Sequence, residues 1–123
     1  MPYQIYKLIH FLGIFSVLAA VVMAAAHVLR GGTRADNPNR RTLAIVHGVG
    51  MLLIIVGGFG MLARLNIISG GLPGWVWAKF VIWILVGASM GLAYRGGSLA
   101  RVVAIALPLL AVLAAYFALY KPF

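Results

Sequence analysis

Four long apolar runs dominate the sequence. Leu8–Leu29, Thr42–Ala63 and Val102–Tyr120 contain no Asp, Glu, Lys or Arg, and Trp75–Tyr94 is interrupted only by Lys79. A helix needs about 20 mostly apolar residues to cross the hydrocarbon core of a bilayer. The pattern therefore predicts four transmembrane helices, at about 4–29, 42–64, 74–95 and 99–120.

Three short segments rich in Gly, Pro and Asn separate these runs, at 30–41, 69–74 and 95–98. Residues of these types mark turns, and short connections favour antiparallel neighbours in a bundle. The predicted fold is all-α, with residues 1–123 forming a single domain. That domain is an integral membrane four-helix bundle of up-down antiparallel topology.

Composition agrees with a membrane protein and excludes several kinds of chemistry. Apolar residues make up 64% of the chain, charged residues 9%, and mean hydropathy is +1.08, whereas a soluble domain carries about 25% charged residues. The absence of cysteine excludes disulfides and thiolate metal sites. Asp36 is the one acidic residue, so no carboxylate is available in a membrane helix to relay protons.

We interpret the net charge of +9 as a feature that orients the chain in the membrane, and we expect no nucleic-acid partner. Basic residues are more numerous around the first and third connections than on the opposite side, and loops of that kind stay in the cytoplasm. We therefore predict a bacterial inner-membrane protein with both termini on the non-cytoplasmic side. The residues around the first and third connections are Arg30, Arg34, Arg40, Arg41, Arg95 and Arg101, against Lys7, Arg64, Lys79 and Lys121.

Small residues predict where the helices touch each other, because close backbone approach stabilises helix pairs in lipid. Gly13 and Ser16 begin such a stripe on the first helix, and Gly57 and Gly58 belong to one on the second. The third helix carries a G-x-x-x-G pattern at 87–91. Glycine-rich faces also suggest a homo-oligomer or a larger membrane complex.

Four ionisable residues within the apolar runs are the candidate ligands: His10, His27, His47 and Lys79. Such groups are costly in a membrane and usually functional. At 1.5 Å per residue, His27 and His47 belong near one membrane edge, and His10 and Lys79 near the other. The first pair forms an inner group. The second pair, together with Lys7 and Arg64, forms an outer group, with Trp75 and Trp77 nearby.

The inner group includes two i, i+4 pairs, Met23 with His27 and His47 with Met51. Imidazole and thioether are suitable ligands for Cu(I) and for haem iron. The same residues are also compatible with plain packing near a helix end. The outer group is either a set of snorkelling cations or a cationic pocket for an anion such as a haem propionate, a quinone oxygen or a lipid phosphate.

The sequence resembles small four-helix membrane proteins related to the HemJ-type protoporphyrinogen oxidases and the copper-resistance D membrane domain. In this family a histidine of the first helix associates with haem and a membrane lysine accompanies it. The resemblance implies these roles for His10 and Lys79. The motifs that carry it are Lys7-Leu-Ile-His10, Arg40-Arg41-Thr-Leu43, Gly58-Phe-Gly60-Met61-Leu62 and Trp75-Val-Trp-Ala-Lys79 continuing to Tyr94.

The functional prediction is a haem-b-binding integral membrane protein with a redox or porphyrin-linked role. An enzyme of this design would be a membrane oxidoreductase, and the sequence leaves open whether it catalyses a reaction. Two alternatives stay open: a copper or small-ion transport protein using His27, His47, Met23 and Met51, and a non-catalytic accessory subunit of a larger membrane complex.

Overall fold

A computed structural model describes residues 2–65 and 71–121 and contains four α-helices within these ranges. All four are long and apolar enough to span a membrane, so the predicted all-α integral membrane bundle is confirmed. Every predicted helix end lies within two residues of the observed one. The helices are α1 (Tyr3–Leu29), α2 (Arg40–Arg64), α3 (Gly74–Ala93) and α4 (Gly97–Tyr120).

Proline and glycine set the beginnings of three helices. Pro2 and Pro73 precede α1 and α3 in extended backbone conformations, where the missing proline N–H costs no helical hydrogen bond. Gly96 precedes α4. Pro108 lies inside α4, and the helix continues past it to Tyr120.

The closest helix pair is α1 with α2, and glycines make the approach possible. A Cβ added to Gly13 would lie 2.6 Å from the Gly50 carbonyl oxygen, and one added to Gly57 would lie 2.6 Å from the His10 backbone nitrogen. Gly50 and Gly57 are two turns apart and therefore share one face of α2. This confirms that small residues of these two helices mark their contact.

The remaining helices are packed more loosely around this pair. α1 contacts all three other helices, while α3 packs mainly on α4. The core is therefore centred on α1, and α4 is the helix most exposed to lipid. The α1 core residues are Val17, Ala20, Val21, Ala24, Ala25 and Val28.

The G-x-x-x-G pattern of α3 does not form the close helix contact that we predicted for it. A Cβ added to Gly87 would lie 3.3 Å from the Met51 side chain. One added to Gly91 would have nothing within 4 Å, and Gly91 is exposed. The prediction was wrong for Gly91 because α3 turns that face outward and pairs with α4 on another side.

One buried polar residue ties the first connection to the end of α3. Asn37 donates from Nδ2 to the Tyr94 hydroxyl at 3.1 Å, and its Oδ1 accepts the Asn39 N–H at 3.0 Å. The first and third connections thus lie at one end of the bundle, which we call the arginine end. The opposite end, with both chain termini, is called the terminal end.

Candidate functional site

His10 of α1 is buried against α2 with its ring orientation set by a backbone carbonyl. Nδ1 lies 2.8 Å from the Ile54 oxygen, and since a carbonyl only accepts, Nδ1 must carry the proton. In the neutral ring Nε2 then holds the lone pair. α1 can approach α2 at His10 because Gly57 has no side chain: an added Cβ there would lie 2.7 Å from the His10 Cβ, whereas one on Gly58 would make an ordinary contact with the ring at 3.6 Å.

Lys79 lies in the second turn of α3 and lines the same two cavities as His10. Within residues 2–65 and 71–121 its ammonium has neither a hydrogen bond nor an ion pair. Asp36, the chain's one acid, is bonded to His27 instead. The ammonium is therefore a partly buried positive charge with no counter-ion in the part of the chain that the structure describes.

The first cavity has a volume of about 150 Å³ and lies between α2 and α3 at the terminal end. His10 and Lys79 provide polar groups, while Lys121 approaches from the end of α4, 5.7 Å from the Trp75 ring. Much of the wall is apolar and aromatic. It includes Ile54, Ile55, Phe59, Leu62, Trp75, Phe80 and Trp83.

The second cavity has a volume of about 350 Å³ and lies between α1 and α4. It shares His10 and Lys79 with the first cavity and adds Lys7 at the terminal end. The two cavities are therefore neighbours around the same pair of polar residues. Other residues lining both are Tyr3, Ile54, Met61 and Ala118.

The structure thus brings together the central members of the predicted outer group. His10 and Lys79 line both cavities, Trp75 lines the first and Lys7 lines the second. Arg64, which we had placed in the same group, lines neither cavity and is exposed. It fits the snorkelling interpretation.

At the arginine end, His27 is held by the first connection. Its Nε2 is 2.6 Å from Asp36 Oδ1 and 3.0 Å from the Thr33 carbonyl. The Thr33 backbone N–H, 2.8 Å from the same carboxylate oxygen, and the His27 ring hold the pKa of Asp36 below its usual range. His27 Nε2 thus holds the first connection in place, and His27 lines neither of the two cavities.

His47 of α2 makes a contact with α3. Its Nε2 donates to the Gly87 carbonyl at 3.2 Å, so Nδ1 carries the lone pair in the neutral ring. Nδ1 is buried and has no hydrogen-bond partner among the described residues. Met51, one turn further along α2, packs over the same Gly87.

The four residues predicted to bind copper have different surroundings. Met23 is 53% exposed on the outside of α1, whereas Met51 is 8% exposed in the core. His27 faces the first connection and His47 faces α3. No group of three or more His, Cys, Asp or Glu side chains within the described residues could hold a metal ion.

Two polar arrangements went unpredicted. Thr33 and Asp36 exchange backbone-to-side-chain hydrogen bonds, at 2.8 Å and 3.4 Å, and the T-x-x-D spacing in the sequence could have indicated this. The second is the Trp83 ring N–H, which donates to the Met51 carbonyl at 3.1 Å. No sequence signal pairs these two residues, since they lie on different helices.

The geometry defines an integral membrane four-helix protein with cavities around a histidine whose described lining residues include lysines and no acid. No protein-family model, no curated protein and no solved structure matches the chain.

Proposed function

We propose that the protein binds haem b, or a closely related porphyrin, at the terminal end of the bundle, where His10 Nε2 would hold the iron. The observation that carries the proposal is the hydrogen bond from His10 Nδ1 to the Ile54 carbonyl. Metal-binding histidines generally donate their other ring N–H to a carbonyl or carboxylate, which leaves the correct nitrogen free. His10 has this arrangement and lines open volume.

The lining of the cavities supports the same ligand. A porphyrin presents an apolar macrocycle with carboxylate groups at one edge, and the aromatic wall from Trp75 to Trp83 suits the former. Lys79, which has no counter-ion among the described residues, suits a carboxylate. The macrocycle would occupy the first cavity and the space next to His10 and Lys79, where the second cavity begins.

The resemblance described above adds to this proposal. Its K-x-x-H motif and its membrane lysine fall on His10 and Lys79, which line the same cavities. When bound, haem supplies one-electron redox chemistry. The role proposed for the protein is accordingly redox or porphyrin-linked, and any catalysis would be that of a membrane oxidoreductase.

We place the protein in a bacterial inner membrane with the arginine end in the cytoplasm. The Asn37–Tyr94 hydrogen bond supports this orientation, because it groups the two arginine-bearing connections at one end. Both termini, and the haem site, would then lie toward the non-cytoplasmic side. The outward-facing Gly91 surface of α3 is available for a second copy or a larger membrane complex.

The test is a visible absorption spectrum of detergent-purified protein, with haem supplied during expression, in oxidised and reduced states. We expect a Soret band in the natural protein that is lost in His10→Ala. His27→Ala is the matched control and should retain the band, because the His27 ring is engaged by Asp36. A missing band in the natural protein, or a band that survives His10→Ala, would refute the assignment.

A copper site at His47 is the second candidate, and one observation favours it. His47 Nδ1 is buried without a partner, and the Met51 thioether side chain packs over the same glycine. Cu(I) titration would be expected to show saturable binding that disappears in His47→Ala. If neither haem nor copper binds, and the protein migrates on native gels within a larger assembly, the accessory-subunit alternative is favoured.

A further inference from the structure

The cavity between α1 and α4 is elongated along the helices. Its lining runs from Tyr3 to Leu18 on α1 and from Leu107 to Leu119 on α4. At 1.5 Å rise per residue, these stretches are about 18 to 22 Å long. The cavity therefore extends from the terminal end well into the hydrocarbon region of the bilayer.

Alanines on α4 create this space. Four of them follow i, i+3, i+4 and i+7 spacing, which places them on one face of the helix. Opposite them, the α1 wall is formed largely by large apolar residues. Among the described residues that line the cavity, the polar side chains are Tyr3, Lys7, His10 and Lys79. The four alanines are Ala111, Ala114, Ala115 and Ala118.

The mouth of this cavity is positively charged. The Lys7 ammonium lies 6.0 Å from the centre of the Tyr3 ring and 5.9 Å from that of Phe11, and both rings line the cavity. Lys79 adds a second ammonium. Asp36, the only Asp or Glu of the sequence, lies at the opposite end of the bundle, so no acidic side chain neutralises either charge.

We propose that this cavity binds a single hydrocarbon chain with an anionic head group. The head group lies between Lys7 and Lys79, and the chain extends along the alanine face of α4. A volume of about 350 Å³ lies at the lower end of the range for small-molecule sites, about 300 to 1,000 Å³, and suits one chain. A free long-chain fatty acid and one chain of an anionic phospholipid share this chemistry.

This inference goes beyond porphyrin binding. Lys79 takes part in both proposals, but the alanine face from Ala111 to Ala115 lines only the second cavity. The aromatic wall proposed for the macrocycle belongs to α3, whereas the chain would lie between α1 and α4. Lys7 lines only the elongated cavity. A variant that fills the alanine face therefore separates the two proposals.

Binding is measured with radiolabelled palmitate on the purified protein in phosphatidylcholine nanodiscs, with hexadecanol as the neutral ligand of the same length. A charge-assisted contact contributes about 1.5–3 kcal/mol, so palmitate should bind at least about tenfold more tightly than hexadecanol. Equal binding of the two would overturn the proposal, because it would mean that the cavity only accommodates bulk hydrocarbon.

Two variants locate the site. Ala114→Leu should lower palmitate affinity about tenfold or more by filling the cavity, whereas Ala19→Leu, at an exposed α1 position that lines neither cavity, should not. Lys7→Gln should reduce the preference for palmitate over hexadecanol and leaves the packing intact, since Lys7 is exposed. Unchanged palmitate binding in both Ala114→Leu and Lys7→Gln would refute the site.

The two sources of the ligand are distinguished by native mass spectrometry of protein from nanodiscs containing either palmitate or phosphatidylglycerol. A retained adduct of one mass that is lost in Ala114→Leu identifies the source, and no adduct with either would contradict the proposal. The Soret band provides the independent readout: Ala114→Leu should keep it, while His10→Ala should lose it and still bind palmitate.

Discussion

At the terminal end of the bundle, the His10 ring lines open volume beside an unneutralised Lys79, whereas at the arginine end the His27 ring is bonded to Asp36 and to the Thr33 carbonyl. Both histidines belong to α1, and each ring forms a hydrogen bond with a group outside α1. The difference comes from the position of the one acid. Where the acid is present, the polar groups satisfy each other and close a loop; where it is absent, they remain available to a ligand.

The largest expected effect is on haem binding at the terminal end. His10→Gln should abolish the Soret band, because the amide lacks a ring nitrogen for iron, while His27→Gln at the arginine end should leave it unchanged. Reduced-minus-oxidised spectra of the two variants test the comparison directly. Equal loss of the Soret band in both variants would mean that the two ends of the bundle do not differ in haem binding.

The next largest effect concerns the helix contact that supports His10. Gly57→Ala should destabilise the protein by about 1–3 kcal/mol, the usual range for overpacking, because the new Cβ would meet α1 backbone at 2.6 Å. Gly48→Ala on the same helix is the control, since nothing lies within 4 Å of an added Cβ there. Thermal unfolding in detergent should show a lower midpoint for the first variant only.

Lys79→Met should separate stability from ligand binding. Removing a lone charge from an apolar site should raise the free energy of unfolding by up to about 2–3 kcal/mol, as expected from the cost of a charge within the membrane. Affinity for a carboxylate-bearing porphyrin should fall at the same time. A variant that is less stable than the natural protein would show that the ammonium has a structural partner.

The smallest expected effect is at the arginine end and depends on pH. The pKa of Asp36 is lower in the folded protein than its ordinary value of 3.8, so its stabilising contribution is complete above that value and is lost as the pH falls through the depressed pKa. NMR measurement of Thr33 amide protection should show this loss on acidification. Asp36→Asn should abolish the pH dependence of the signal and leave the Soret band unchanged.

Much of the architecture could be predicted because it depends on local patterns. Apolar runs of membrane-spanning length, bounded by Gly and Pro, located all four helices to within two residues. The close α1–α2 contact was also indicated, since Gly13 and Gly57 have no other reason to interrupt their helices. The prediction from the G-x-x-x-G pattern of α3 was wrong at Gly91. The pattern indicates that another helix could pack closely there, but it does not indicate which helix, or whether one does.

The amino-acid sequence by itself determined that the chain is a four-helix membrane protein, because the hydropathy and length of a segment decide whether it can span a bilayer. It also determined that Lys79 has no acidic partner in a membrane helix, since the only acid lies in a connection. The tertiary structure decided which histidine lines the cavities. His10, His27 and His47 are alike in their apolar sequence surroundings, and only the packing of α2 and the path of the first connection give each ring a different partner.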